Sequence, residues 1–166
     1  LIFSDEGETL TGDGNIKLSV AKSTSYQFEV SFDEDGKEVL KVSEAPIYLR
    51  GSITDWGATA ANQLMFVASD DANTAEASHT YSMEVAITNA GEFKVADEGW
   101  GGSLGYNYGV AVADTAVQLG VPLTLYASGS DTDIGDSNNI KIDVPAGTYI
   151  FSFEDGVTKT MTVTAK

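Results

Sequence analysis

Three stretches of the sequence hold side chains whose type and spacing could do chemistry. Residues 90–109 open as a strand, Gly91-Glu92-Phe93-Lys94-Val95-Ala96, then break at Gly99 into a glycine-rich loop carrying Trp100, Tyr106 and Tyr108. Glycines leave the backbone low and bare around the indole, so Trp100 is expected to stand proud of the surface, where a flat apolar face serves to receive a partner. A sugar ring is the partner such a face suits. The second stretch, Asp131-Thr132-Asp133-Ile134-Gly135-Asp136, spaces its carboxylates as a calcium loop would. The rest of a helix-loop-helix calcium motif is missing, with Ile142 where a bidentate glutamate belongs, so a solvated acidic loop without metal is expected. The third is His79, the one histidine, in a polar stretch with no cysteine in the chain. It reads as a surface residue, and no serine sits in anything like a nucleophile elbow.

The elements that must position these residues are strands. Ile16-Lys17-Leu18-Ser19-Val20, Tyr26-Gln27-Phe28-Glu29-Val30-Ser31-Phe32 and Val39-Leu40-Lys41-Val42 alternate with a period of two, which gives one face to a core and one to water. Asp33-Glu34-Asp35-Gly36 is the turn between the last two. Further strands are predicted at Pro46–Gly51, Leu64–Val67, Thr80–Ile87, Glu92–Ala96, Val117–Gly120, Leu123–Tyr126, Asn139–Val144, Tyr149–Phe153 and Lys159–Val163, with one turn of helix between Asp70 and Ser78. With 17 glycines and turns every 8 to 12 residues, and no long amphipathic helix, the chain reads as all-β, an antiparallel β-sandwich.

The C-terminal strands repeat the N-terminal ones. Asn139-Ile140-Lys141-Ile142 lies over Asn15-Ile16-Lys17-Leu18, and Tyr149-Ile150-Phe151-Ser152-Phe153 over Tyr26-Gln27-Phe28-Glu29-Val30, with gaps only in the turns. Residues 1–45 are therefore expected to be the closing strands of a preceding, incomplete module, and residues 46–166 a whole second one. A three-strand stub bares an apolar face and is expected to pack against the second module or a neighbouring chain.

Composition narrows the function. Among 166 residues, 25 acidic against 9 basic side chains give a net charge of −16, which repels nucleic acid and anionic membranes and leaves a neutral ligand unaffected. No run of apolar residues is long enough to span a bilayer as a helix, and the first six residues do not form a signal peptide, so any export signal is expected upstream. The absence of cysteine removes thiolate chemistry and disulfides. The acids are scattered over turns rather than paired across a cleft, which argues against a glycoside hydrolase.

Tyr48-Leu49-Arg50-Gly51-Ser52-Ile53-Thr54-Asp55-Trp56, then Gly91-Glu92-Phe93-Lys94-Val95-Ala96-Asp97 with Trp100, then Ser137-Asn138-Asn139-Ile140 resemble, in that order, the starch- and glycogen-binding modules of immunoglobulin-like fold. The likeness is to modules attached to pullulanases and amylases and to outer-surface starch-binding proteins of gut bacteria, and it runs from about residue 46 to 166. It implies that Trp56, Lys94, Trp100 and Asn138 meet the sugar, with Asp55 standing where several members have asparagine. The first 45 residues keep only Asp13-Gly14-Asn15-Ile16 of these motifs and are not expected to bind by themselves.

The resemblance implies rings for the sugar faces, with the Lys94 ammonium and the Asn138 amide for the hydroxyl edges and Asn139 beside them. Tyr106 or Tyr108 extends the platform while a sandwich core takes the other. Each residue also has a structural reading: Trp56 as a plug in the sandwich mouth, Lys94 as a solvent-facing strand residue, the two asparagines as turn formers. The expectation is a non-catalytic, secreted α-glucan-binding module of a larger exported protein, without cofactor. The rival is a spacer or adhesion module of the same fold.

Overall fold

A computed structural model describes residues 8–9, 25–67, 79–102, 104–129 and 135–166. The strand expected at Ile16–Val20, the Asn15 motif, the helical turn between Asp70 and Ser78 and the carboxylates of Asp131 and Asp133 lie outside the described residues. The strands in chain order are β1 (Glu8–Thr9), β2 (Tyr26–Phe32), β3 (Glu38–Glu44), β4 (Ile47–Gly51), β5 (Gln63–Val67), β6 (His79–Ile87), β7 (Gly91–Ala96), β8 (Asn107–Gly109), β9 (Leu123–Thr124), β10 (Tyr126–Ala127), β11 (Ile140–Ile142), β12 (Gly147–Asp155) and β13 (Lys159–Ala165). One 3-10 turn, Ala60–Asn62, precedes β5.

The chain divides into two compact units, Leu1–Pro46 and Ile47–Lys166. In the first, β3 lies between β1 and β2 in an antiparallel sheet. Its β2–β3 turn forms as the residue types demand: Asp33 Oδ1 accepts from the Asp35 and Lys37 amides at 3.0 and 2.8 Å, and Gly36 takes φ +77°.

The second unit is an antiparallel β-sandwich. One layer runs β10-β8-β7-β4, with β11 also on β7, and the other runs β6-β12-β13-β9. β5 joins them, pairing through Gln63 and Leu64 with β4 and through Met65 to Val67 with β6. At the far edge β9 pairs with β13 while β10, one residue later, pairs with β8, so the chain changes layer at the buried Leu125. Alternation along each strand fills the space between layers: Leu49, Phe93 and Val95 from one side meet Phe151, Phe153, Met161 and Val163 from the other. Phe93 and Phe151 touch edge to face across the core, their centroids 5.2 Å apart.

Two local expectations change. Asn107–Gly109 form a strand, because Gly105 at φ +76° turns the chain back along β7. The run 117–120 gives a turn over 118–121 in place of a strand, closed by the Val121 amide on Gln118 O at 3.0 Å, with the Gly120 amide bonded to Val163 O at 2.8 Å.

Candidate functional site

The two tryptophans stand on separate loops that leave opposite ends of the antiparallel β4–β7 pair, the first folding back along β4, and each loop is fixed by a buried polar side chain. Gly51 closes β4 where a Cβ would stand 2.1 Å from the Glu92 carbonyl oxygen, so only glycine allows the strands to meet there. The chain then turns through Asp55, at φ +61°, into Trp56. Thr54 Oγ1 donates to Leu49 O at 2.6 Å. Asn62, 2% exposed, donates to Gly57 O and Asp55 O and accepts at Oδ1 from the amide and hydroxyl of Thr59, both at 2.8 Å.

The second loop leaves β7 at Asp97, which is fully buried. Its carboxylate accepts amide hydrogen bonds from Gly101 at 2.8 Å, Tyr106 at 3.2 Å and Leu104 at 3.3 Å, and its own amide donates to Tyr106 O at 2.8 Å. The loop is thereby wound around one side chain. Trp100 sits at its tip at φ +54°, a left-handed conformation that costs an L-residue about 1 kcal/mol or more and is held by these bonds together with Asn107 Nδ2 donating to Trp100 O at 3.1 Å.

Arg50 ties the loops together. Its Nε donates to Trp56 O at 2.8 Å, and its Nη1 donates to Asp97 O at 2.9 Å and Glu98 O at 3.0 Å. The guanidinium carbon lies 3.7 Å from the centre of the Trp100 ring, a cation–π stack on one indole face. Burial pulls the Arg50 pKa below its ordinary value, and Asp97 and Glu98 pull it back. The two indoles come to 6.1 Å between centroids with their planes 38° apart. Rings at that separation and tilt lie within the range of an aromatic pair contact. Trp56 is half-buried and Trp100 is 37% exposed, so neither is a core plug.

The other residues singled out in the sequence are spread more widely. Lys94 is the cross-strand partner of Arg50 and projects from the same face, yet it is buried, its Nζ donating to Ser128 Oγ and Ser137 O at 2.9 Å each. Its stem crosses Gly109, where a Cβ would lie 3.0 Å from Lys94 Cε and 2.1 Å from Asn138 O. Desolvation lowers the Lys94 pKa, against the pull of Asp136. Asn138 spends its side-chain amide on Ala111 O, at 3.0 Å, and Val110 O, at 3.4 Å. Asn139 bonds Glu92, whose carboxyl is held below the usual range chiefly by Lys141, 2.8 Å away.

Tyr106 and Tyr108 turn inward, each 6.4 Å from the Phe153 ring, and the Tyr106 hydroxyl donates to Asp155. Burial and that carboxylate push the Tyr106 pKa up. The structure thus brings together Trp56 and Trp100, and engages Lys94 with Ser128 and Ser137 and Asn138 with Val110 and Ala111 instead. His79 is exposed, its ring 5.8 Å from that of Phe66.

Sequence reasoning passed over Arg50 and Asp97. A lone arginine on the otherwise apolar Ile47–Gly51 strand, and an aspartate closing a strand just before a glycine run, were the available signals. An open depression lined by Ser52, Glu92, Asp114 and Lys141 lies at the opposite end of β7, its lysine already paired with its acids. Compared with protein-family models, curated proteins and solved structures, the chain matches none, so the reading of this face rests on its own residues.

Proposed function

We propose that the Trp56–Trp100 surface binds α-glucan without catalysis and that the chain anchors an exported protein to starch- or glycogen-like polysaccharide. The observation that carries this is the pair of neighbouring indoles, tilted by 38°, with Arg50 stacked on one face of Trp100 and bonded to Trp56 O. A β-1,4-linked ribbon offers coplanar sugar faces, which suit parallel rings. An α-1,4-linked chain curves, and its successive faces turn relative to one another as these rings do. These Arg50 contacts remove most of the ordering cost that binding would otherwise carry. A ring covering roughly 100 Å² of apolar face contributes about 2.5 kcal/mol, and two such rings, less the cost of association, give a single-site Kd on the order of millimolar to tens of micromolar. Net charge of −16 does not oppose a neutral polymer.

The occupied amine of Lys94 favours a second reading, a spacer module of the same fold, because the donor expected at the sugar edge is already spent. Calorimetric titration with maltoheptaose, beside cellohexaose, separates the two. Binding of the first alone, lost in Trp100→Ala, supports the proposal, whereas no heat and no change in tryptophan emission favours the spacer. Release of reducing sugar from soluble starch would defeat both.

A further inference from the structure

Among the described residues, Tyr126 is a further exposed aromatic on this face. It pairs with Gly109 across β10 and β8, and directly opposed residues of an antiparallel pair project from the same side. The side is fixed by Gly109, whose Cβ direction points at the Asn138 carbonyl oxygen, 2.1 Å away, and at the Lys94 stem, 3.0 Å away. Lys94 pairs in turn with Arg50, against which Trp100 is stacked. Tyr126, Gly109, Lys94 and Arg50 therefore form one row across β10, β8, β7 and β4. Inter-strand steps of about 4.8 Å place the Tyr126 backbone about 14 Å from that of Arg50. Unlike Tyr106 and Tyr108, whose rings face the core, Tyr126 is 43% exposed.

We infer that Tyr126 is a second stacking position for the same glucan chain, engaged only by oligosaccharides long enough to reach across the sheet from the indoles. The inference rests on the α-glucan reading of the tryptophan surface. One sugar ring cannot touch both ends of the row. The ground between is compatible with a neutral chain, because the Asn138 backbone lies over Gly109 and Lys94 is buried, its amine bonded to Ser128 and Ser137. The consequence is a dependence on ligand length that the tryptophans alone do not produce.

The test is titration of the whole chain and of Tyr126→Ala, Tyr126→Phe and Trp100→Ala with maltotriose and with maltoheptaose, each variant checked for the unmodified circular dichroism spectrum. The unsubstituted protein is expected to bind maltoheptaose about tenfold more tightly than maltotriose, Tyr126→Ala to lose that preference while keeping its maltotriose affinity, and Tyr126→Phe to retain it. Equal weakening of both ligands in Tyr126→Ala, or an undiminished length preference, overturns the inference and leaves the tryptophan site standing. Failure of the unsubstituted protein to bind either sugar overturns the glucan reading itself.

Discussion

The β2–β3 and β12–β13 hairpins pair alike and are buried differently. Phe28 faces Val42 and Val30 faces Leu40 in the first, as Phe151 faces Val163 and Phe153 faces Met161 in the second. Yet Phe28 and Val30 are 57% and 62% exposed, whereas Phe151 and Phe153 are fully buried. The difference comes from what flanks them. β12 has β6 on its other edge and the β7 layer against its face, while β2 pairs with β3 alone among the described residues. Alternation thus sets strand and register, and tertiary neighbours set which alternating face is dry. The largest consequence falls on Phe151. Its replacement by alanine removes the ring that meets Phe93 edge to face and is expected to cost about 3–5 kcal/mol in urea unfolding. Both tryptophans lie in the Ile47–Lys166 unit, so their emission follows this unfolding specifically.

The tryptophan loops extend the comparison from strands to connections. Asp97→Ala leaves the Gly101, Leu104 and Tyr106 amides without their buried acceptor, and is expected to cost about 2–3 kcal/mol while freeing Trp100. A smaller effect is expected for Arg50→Lys, which keeps the charge but cannot reach three carbonyls with a planar fork: about 1–2 kcal/mol and several-fold weaker glucan binding. A ligand-free measurement checks it, since two neighbouring indoles give an exciton signal in circular dichroism that fades when they separate. An unchanged signal in Arg50→Lys would show that the Asp97 and Asn62 loops hold the rings by themselves.

Much of the fold was legible because period-two alternation and acidic or glycine turns are local signals. The Asp33–Gly36 turn and the strands around Phe93, Tyr81 and Phe151 form where the pattern puts them. Tyr106-Asn107-Tyr108-Gly109 carries the same alternation, but its glycines read as loop, and only pairing with β7 shows the two tyrosines sharing one inward face. Sequence reasoning singled out Trp100 from its glycine-rich loop and Trp56 from the resemblance, and the structure brings those two rings together. Residue type could not identify Arg50 as the cation beside them, because Lys94 and Arg50 become neighbours only through the β4–β7 register, and Ser128 and Ser137, distant in sequence, decide that Lys94 is tucked in.

The smallest expected effect bears hardest on the comparison. Phe28→Ala removes as large a ring as Phe151→Ala, from a strand of the same register, yet more than half of that ring already faces water. Little apolar area is returned to solvent and no cavity forms, so the expected change is within about 0.5 kcal/mol by circular dichroism under denaturant. Among the described residues its directly opposed neighbour is Val42, and such cross-strand pairs contribute roughly 0.2–1 kcal/mol. A cost approaching that of Phe151→Ala would mean that Phe28 is covered in solution, and that the contrast between the hairpins lies in a cover still to be found rather than in the neighbours each strand has within the fold.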